Sequence, residues 1–323
     1  MYRIFVALLS SLAAPVAAGD FALSWPIDCT LGETCHIQQY VDRDPGPGAL
    51  DFACGPLTYD GHKGTDIALP SLSDMEIGVQ VRAAASGIVV GMRDGMADRY
   101  ATDAGSAEIE GRDCGNGVVL RHSEGWETQY CHMKSGSVRV KTGDRIAAGT
   151  VLGEVGLSGR TQFPHLHLSV RQNGAVVDPF QTSATAACGT TDGATLWANP
   201  VAYTAGGFIA AGFSAEVPAY EAIKSGAATA RQEAMTGASP ALVLWAYAYG
   251  GREGDLVSLT IEGPGGVLID QKVTLKKDQA QFFRAAGKRL RSLSWPTGLY
   301  TGIARLVRDG KEVDRIMRPL RFE

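Results

Sequence analysis

Between Val79 and Val177 short apolar runs such as SGIVVG, GVVLRH, ETQYCHM and AVVDP are separated by Gly, Asp, Asn and Ser. Runs of this length, rich in Val, Ile and Leu and bounded by turn formers, predict strands rather than helices. Long helical periodicity is missing. The polar, glycine-containing segment 92–112 is expected to be a surface loop interrupting the sheet. One run stands out: TQFPHLHL, residues 161–168, carries two histidines one residue apart. In a strand, successive side chains point to opposite faces, so His165 and His167 share one face while Leu166 and Leu168 share the other. Such a strand would wall off a polar cleft from a hydrophobic core.

Past Cys188 the texture changes, with GTTDGATLWANP as a connector. The Ala-rich stretch 218–239 suits a short helix or a mobile loop. ALVLWAYAYG, DLVSLTIEG, GVLIDQKVTL, QAQFFRAAG, GLYTGIARLVRDG and KEVDRIMRPLRF then follow at the spacing of strands in a small sandwich, and RDGKEVD reads as a hairpin turn. The expected fold class is mainly β: an antiparallel sheet domain over 19–190, followed by a β-sandwich-like domain over 200–323.

The first residues, MYRIFVALLSSLAAPVAAGD, combine Arg3, an apolar run and small residues at 16–18, the pattern of a cleavable signal peptide over 1–18. The apolar run is short for a membrane span and Pro15 interrupts its end, so no transmembrane anchor is expected once it is removed. Six cysteines remain, an even number that in an exported chain favours disulfides. Sequence alone permits many pairings, but DCTLGETC can close a short loop between Cys29 and Cys35. A turn at 123–125 would bring Cys114 opposite Cys131, leaving Cys54 with Cys188. A Cys/His zinc site is disfavoured because no CxxC occurs. A net charge of −4 gives no footprint for nucleic acid. The compartment implied is a bacterial periplasm or exterior.

The six histidines stand at 36, 62, 122, 132, 165 and 167. In GHKGTDIALP, His62 and Asp66 lie four apart, and the flanking glycines and following IAL favour extended chain, where even spacing directs both side chains the same way. Zinc accepts such N and O ligands, and a catalytic zinc takes three from the protein, keeping a fourth place open. With His167 as the third, the set is His62, Asp66 and His167. His132 and His165 would stand beside the metal as proton carriers or oxyanion donors. His36 and His122 are read as structural.

HKGTD, TQYCHM and GLSGRTQFPHLHL, in this order and followed by RQNGAVVDP, resemble peptidase family M23, the LytM and lysostaphin type of zinc endopeptidase. The resemblance covers roughly 54–179. It implies zinc on His62, Asp66 and His167, with His132 and His165 catalytic and unligated, on a mostly antiparallel sheet crossed by a groove. It also implies a substrate, the stem peptides or cross-links of peptidoglycan. Three positions depart from the family's habit: Phe163, often Gly; Ser169, often Glu; and Cys131, usually a small residue. KTGDRIAAGTVLGEVG also has the look of a lipoyl or biotinyl carrier hairpin, but the expected lysine position leads into SGRTQFPH instead. The alternative function is a non-catalytic relative that binds cell wall or regulates another hydrolase. Oligomeric state is not legible.

Overall fold

The computed structural model describes residues 21–101, 109–183, 188–189 and 194–323. The expected signal peptide, 1–18, lies outside the described residues. Among the described residues, the first unit comprises ten strands and one short α-helix, in chain order β1 (His36–Gln39), β2 (Thr65–Ala68), α1 (Leu72–Ile77), β3 (Gln80–Arg82), β4 (Gly87–Arg93), β5 (Asn116–Arg121), β6 (Trp126–Met133), β7 (Arg145–Ile146), β8 (Val151–Glu154), β9 (His165–Gln172) and β10 (Ala175–Val176). Eight of them form an antiparallel sheet in the order β1-β2-β9-β6-β5-β4-β7, with β10 hairpinned onto β9; β3 and β8 pair separately.

The alternation in HLHL is realised in β9, where Leu166, Leu168 and Val170 point into the core and are essentially fully buried. Ile67 on β2, Leu120 on β5 and Tyr130 on β6 pack in the same core. The β5–β6 connection is the expected tight turn at Ser123–Gly125. The polar stretch after β4 is irregular as far as it is described, and its acids tie it down. Asp98 accepts the backbone N–H groups of Ser135 and Leu157, at 2.9 and 2.7 Å.

The later residues form β11 (Gly207–Ser214), α2 (Tyr220–Ser225), α3 (Ala227–Ala230), β12 (Ala241–Gly251), β13 (Leu256–Gly263), β14 (Gly266–Thr274), β15 (Gln279–Arg289), β16 (Gly298–Arg308) and β17 (Lys311–Phe322). Two antiparallel sheets, β11-β12-β15 and β14-β13-β16-β17, enclose Phe213, Leu242, Leu244, Ile261, Tyr300 and Phe322. The six runs expected as strands are β12 to β17. RDGKEVD turns between β16 and β17, with Asp309 and Gly310 both at positive φ (50° and 75°), as a primed two-residue hairpin turn requires. β11 was not anticipated, because the small residues of GFIAAGFS give a weak strand signal. The Ala-rich stretch supplies α2 and α3. The connector is less free than its composition suggests: Leu196 and Trp197 are buried in the first core, and Trp197 bridges Leu23.

The three disulfides are Cys29–Cys35, Cys54–Cys188 and Cys114–Cys131, the pairing expected from spacing. The two units pack directly on one another. Tyr249 of β12 joins the first core and packs its ring, tilted, against His36 of β1, ring centroids 4.4 Å apart. Gln38 donates to Ala280 O (3.0 Å) and accepts from Gln281 Nε2 (2.9 Å).

Candidate metal centre

Strand register assembles the site. β2 pairs with β9 so that Asp66 lies opposite His167 and Ala68 opposite His165. β6 flanks β9 on its other side, with Cys131 opposite His167, which places His132 just past the last paired position. His62 enters from the turn before β2. Its Nε2 is 3.2 Å from Asp66 Oδ1 and 3.2 Å from His167 Nδ1, and His167 Nδ1 is 2.7 Å from the same carboxylate oxygen. Gly64 makes room for this: a Cβ there would lie 2.5 Å from His167 Nε2 and 2.8 Å from Leu168 O.

Two nitrogens and one oxygen within mutual reach form a group that could hold a metal ion. Zinc bonds of about 2.0–2.1 Å in a tetrahedron imply ligand separations of roughly 3.3 Å, so the observed spacing suits such an ion after slight expansion. His132, His165 and His167 form a second close group, but without a carboxylate. The rings of His132 and His165 are 4.6 Å apart, and His165 Nε2 is 3.6 Å from Asp66 Oδ1.

Each imidazole has one nitrogen occupied from behind. His62 Nδ1–H donates to Tyr40 O (2.6 Å), and His132 Nδ1–H donates to Ser158 O (2.8 Å). His165 Nδ1–H donates to Phe163 O (2.9 Å), with Thr161 Oγ1 at 3.0 Å. A carbonyl only accepts, so these Nδ1 atoms carry the proton and each Nε2 offers its lone pair. In His167 the order reverses: Nε2 meets Ser169 Oγ at 3.0 Å and Nδ1 faces the cluster. His132 reaches its place through a left-handed backbone, φ 61°, uncommon outside glycine, and its N–H donates to Cys114 O (2.8 Å).

Burial works to raise the Asp66 carboxyl, but the surrounding imidazoles of His165, His62 and His167 outweigh it and hold the group well below the usual carboxylate range. Burial likewise opposes a charge on His62, and there Asp66 prevails and raises it. Burial pushes His132 well down, helped by His165 and His167, and lowers His165 against the pull of Asp66. His132 and His165, both lowered chiefly by burial, are therefore poised as neutral bases near pH 7.

All five predicted site residues come together. His36 and His122 stand apart: His36 bonds Gln38 (3.1 Å), and His122 bridges Ser86 O (2.8 Å) and Thr128 Oγ1 (2.9 Å). Sequence reading missed the groups that fix the imidazoles, namely Tyr40, Ser158, Thr161 and Phe163. Most act through backbone carbonyls, which leave no residue-type signal; the Thr161 hydroxyl in SGRTQFPH was the one visible cue.

Residues 60–179 match the model of Peptidase family M23. The match falls on the stretch whose motifs resemble that family. The M23 stretch is 33% identical over 128 residues to the DD-carboxypeptidase/endopeptidase Mpg of Neisseria meningitidis, covering 39% of this chain and 24% of that one. It is 30% identical over 118 residues to the peptidoglycan DD-endopeptidase ShyC of Vibrio cholerae, covering 36% and 22%. The chain thus spans about a quarter of the length of these curated relatives. Among solved structures, the catalytic domain of the prophage-encoded M23 protein EnpA from Enterococcus faecalis aligns with a TM-score of 0.32 at 24% identity, covering 50% of this chain and 96% of that domain.

Proposed function

We propose that this protein is an exported zinc metalloendopeptidase that hydrolyses peptide bonds in peptidoglycan stem peptides or cross-links. The observation that carries the reading is the convergence of His62, Asp66 and His167 on one point, with His132 and His165 alongside and each turned inward by a carbonyl. The M23 match and relatives named as peptidoglycan endopeptidases support the substrate class. Three disulfides support an oxidising compartment. No described helix is long and apolar enough to cross a membrane.

In this assignment His62 Nε2, Asp66 Oδ1 and His167 Nδ1 hold the metal. A zinc ion bound there supplies Lewis acidity, polarising a peptide carbonyl and making an adjacent water more acidic. The chain's own part is proton management and orientation. The Nε2 of His132 or His165, free of its proton at neutral pH, accepts one from the attacking water. Once protonated, that imidazole can donate to the leaving amine, returning the proton it took from the water. Tyr40, Ser158 and Phe163 keep the rings from rotating, so these roles need no reorganisation.

The residues after about 200 are assigned as a second module that positions the enzyme or its substrate. The deciding experiment is digestion of purified sacculi by the zinc-loaded full chain, with and without a chelator. Release of soluble peptides that the chelator abolishes is the expected result; sacculus binding without cleavage would instead favour the non-catalytic alternative.

A further inference from the structure

A cleft of about 400 Å³ opens where the two units meet, walled by Tyr100 and Phe163 on one side, Tyr220, Lys224 and Gln281 on the other, and Gln38 between. It adjoins the candidate metal centre through Phe163, whose ring packs against that of His165, tilted by 30° with centroids 4.4 Å apart. Lys224, on α2, holds its ammonium over the rings of Tyr100 (5.0 Å) and Tyr220 (4.9 Å). Among the described residues it forms no ion pair, although Glu221, on the same helix, bears electrostatically on both rings. Among the described residues, none that lines the cleft is acidic. Two aromatic faces steady the charge but, among the described residues, leave the ammonium's N–H groups without acceptors.

The arrangement is built rather than incidental. Ser73 of α1 donates to Ser225 O (2.8 Å), and a Cβ at Gly226 would lie 2.8 Å from Ser71 Oγ, so α2 is docked closely on the first unit. Opposite, Tyr247 OH donates to Gln281 Oε1 (2.6 Å), and Gln281 in turn donates to Gln38. Aromatic faces, carboxamides suited to peptide N–H and C=O groups, and one unpaired cation together select an anionic peptide.

We propose that this cleft is a substrate subsite in which Lys224 binds a carboxylate of the stem peptide, so that the second module helps to form the substrate-binding surface. The proposal rests on the peptidoglycan reading above and deepens it. The test uses the zinc-loaded full chain carrying His132→Ala, so that binding is read without turnover. It is titrated calorimetrically with the stem tetrapeptide L-Ala–γ-D-Glu–meso-diaminopimelate–D-Ala, with its carboxylates free or all converted to carboxamides. The free-acid form should bind about tenfold tighter, as expected for one charge-assisted hydrogen bond, with a preference that fades in high salt. Adding Lys224→Gln should abolish that preference, and Lys224→Arg should keep it. A preference that persists in Lys224→Gln, or its absence in the parent chain, overturns the proposal. Failure of the wild-type chain to cleave sacculi would separately overturn the hydrolase reading, since the binding assay does not depend on cleavage.

Discussion

At the scale of single residues, the proposed ligands and the proposed proton carriers separate by what each would lose. Replacing His62 or Asp66 with Ala is expected to remove bound zinc and activity together, read by metal content and sacculus digestion. His132→Ala should retain zinc and lose about 10²–10⁴-fold in kcat, the usual contribution of a positioned acid or base. Full turnover in that variant would sink its assigned role. Gly64→Ala tests the close approach directly. The added methyl meets His167 and Leu168 O, so zinc affinity should fall by about 10–100-fold without loss of any ligand. The convergence of these side chains was legible in the sequence because HxxxD and HxH place side chains on shared faces. The carbonyls of Tyr40, Ser158 and Phe163 were not, since any residue type can supply them.

Two elements carry testable burdens of their own. The Cys114–Cys131 disulfide joins the start of β5 to the end of β6 beside His132, and Cys114 O holds the His132 N–H. Replacing both cysteines with Ser should cost about 3 kcal/mol of stability for a loop of this size, measured by denaturant unfolding, and should lower kcat with zinc still bound. At β1, burial pulls His36 down to about 4, its bond to Gln38 opposing only in part. A histidine depressed on folding contributes stability that is complete above its ordinary value near 6.5 and is lost as pH falls toward 4, here on the order of 3 kcal/mol. Asp178, raised to about 6 by burial despite Arg43, slopes the other way, stabilising as pH falls from 6 toward 3.8. The measurement that isolates His36 is therefore the difference between wild type and His36→Phe across pH 4–6.5, where the variant should lose less stability on acidification. The strands of β12 to β17 could be read from their apolar runs and turns. β11 could not, because Gly and Ala carry little strand signal and its pairing with β12 is a long-range event.

For the whole molecule, the packing of Leu196, Trp197 and Tyr249 into the first core argues against cutting the chain near residue 190. A chain truncated after Gly189 should be several kcal/mol less stable to denaturant than the full chain, since it exposes apolar surface that only later residues cover. A stable, fully active truncated form would show that the second module is dispensable for both folding and catalysis. Sequence patterning announced two β units. It could not announce how closely they join, because the joining side chains, Gln38, Tyr100, Lys224 and Gln281, look like ordinary surface residues when read in order.

Strand β12 supplies Leu242, Leu244 and Ala246 to the sandwich interior, Ala248 to a smaller cluster at its end, Trp245 and Tyr247 to the layer beneath the short helices, and Tyr249 to the core that backs the histidines. Each apolar cluster of the described residues thus borrows from one eleven-residue segment. Heat should therefore dismantle the protein as one cooperative event, a single calorimetric endotherm, although the chain looks like two halves.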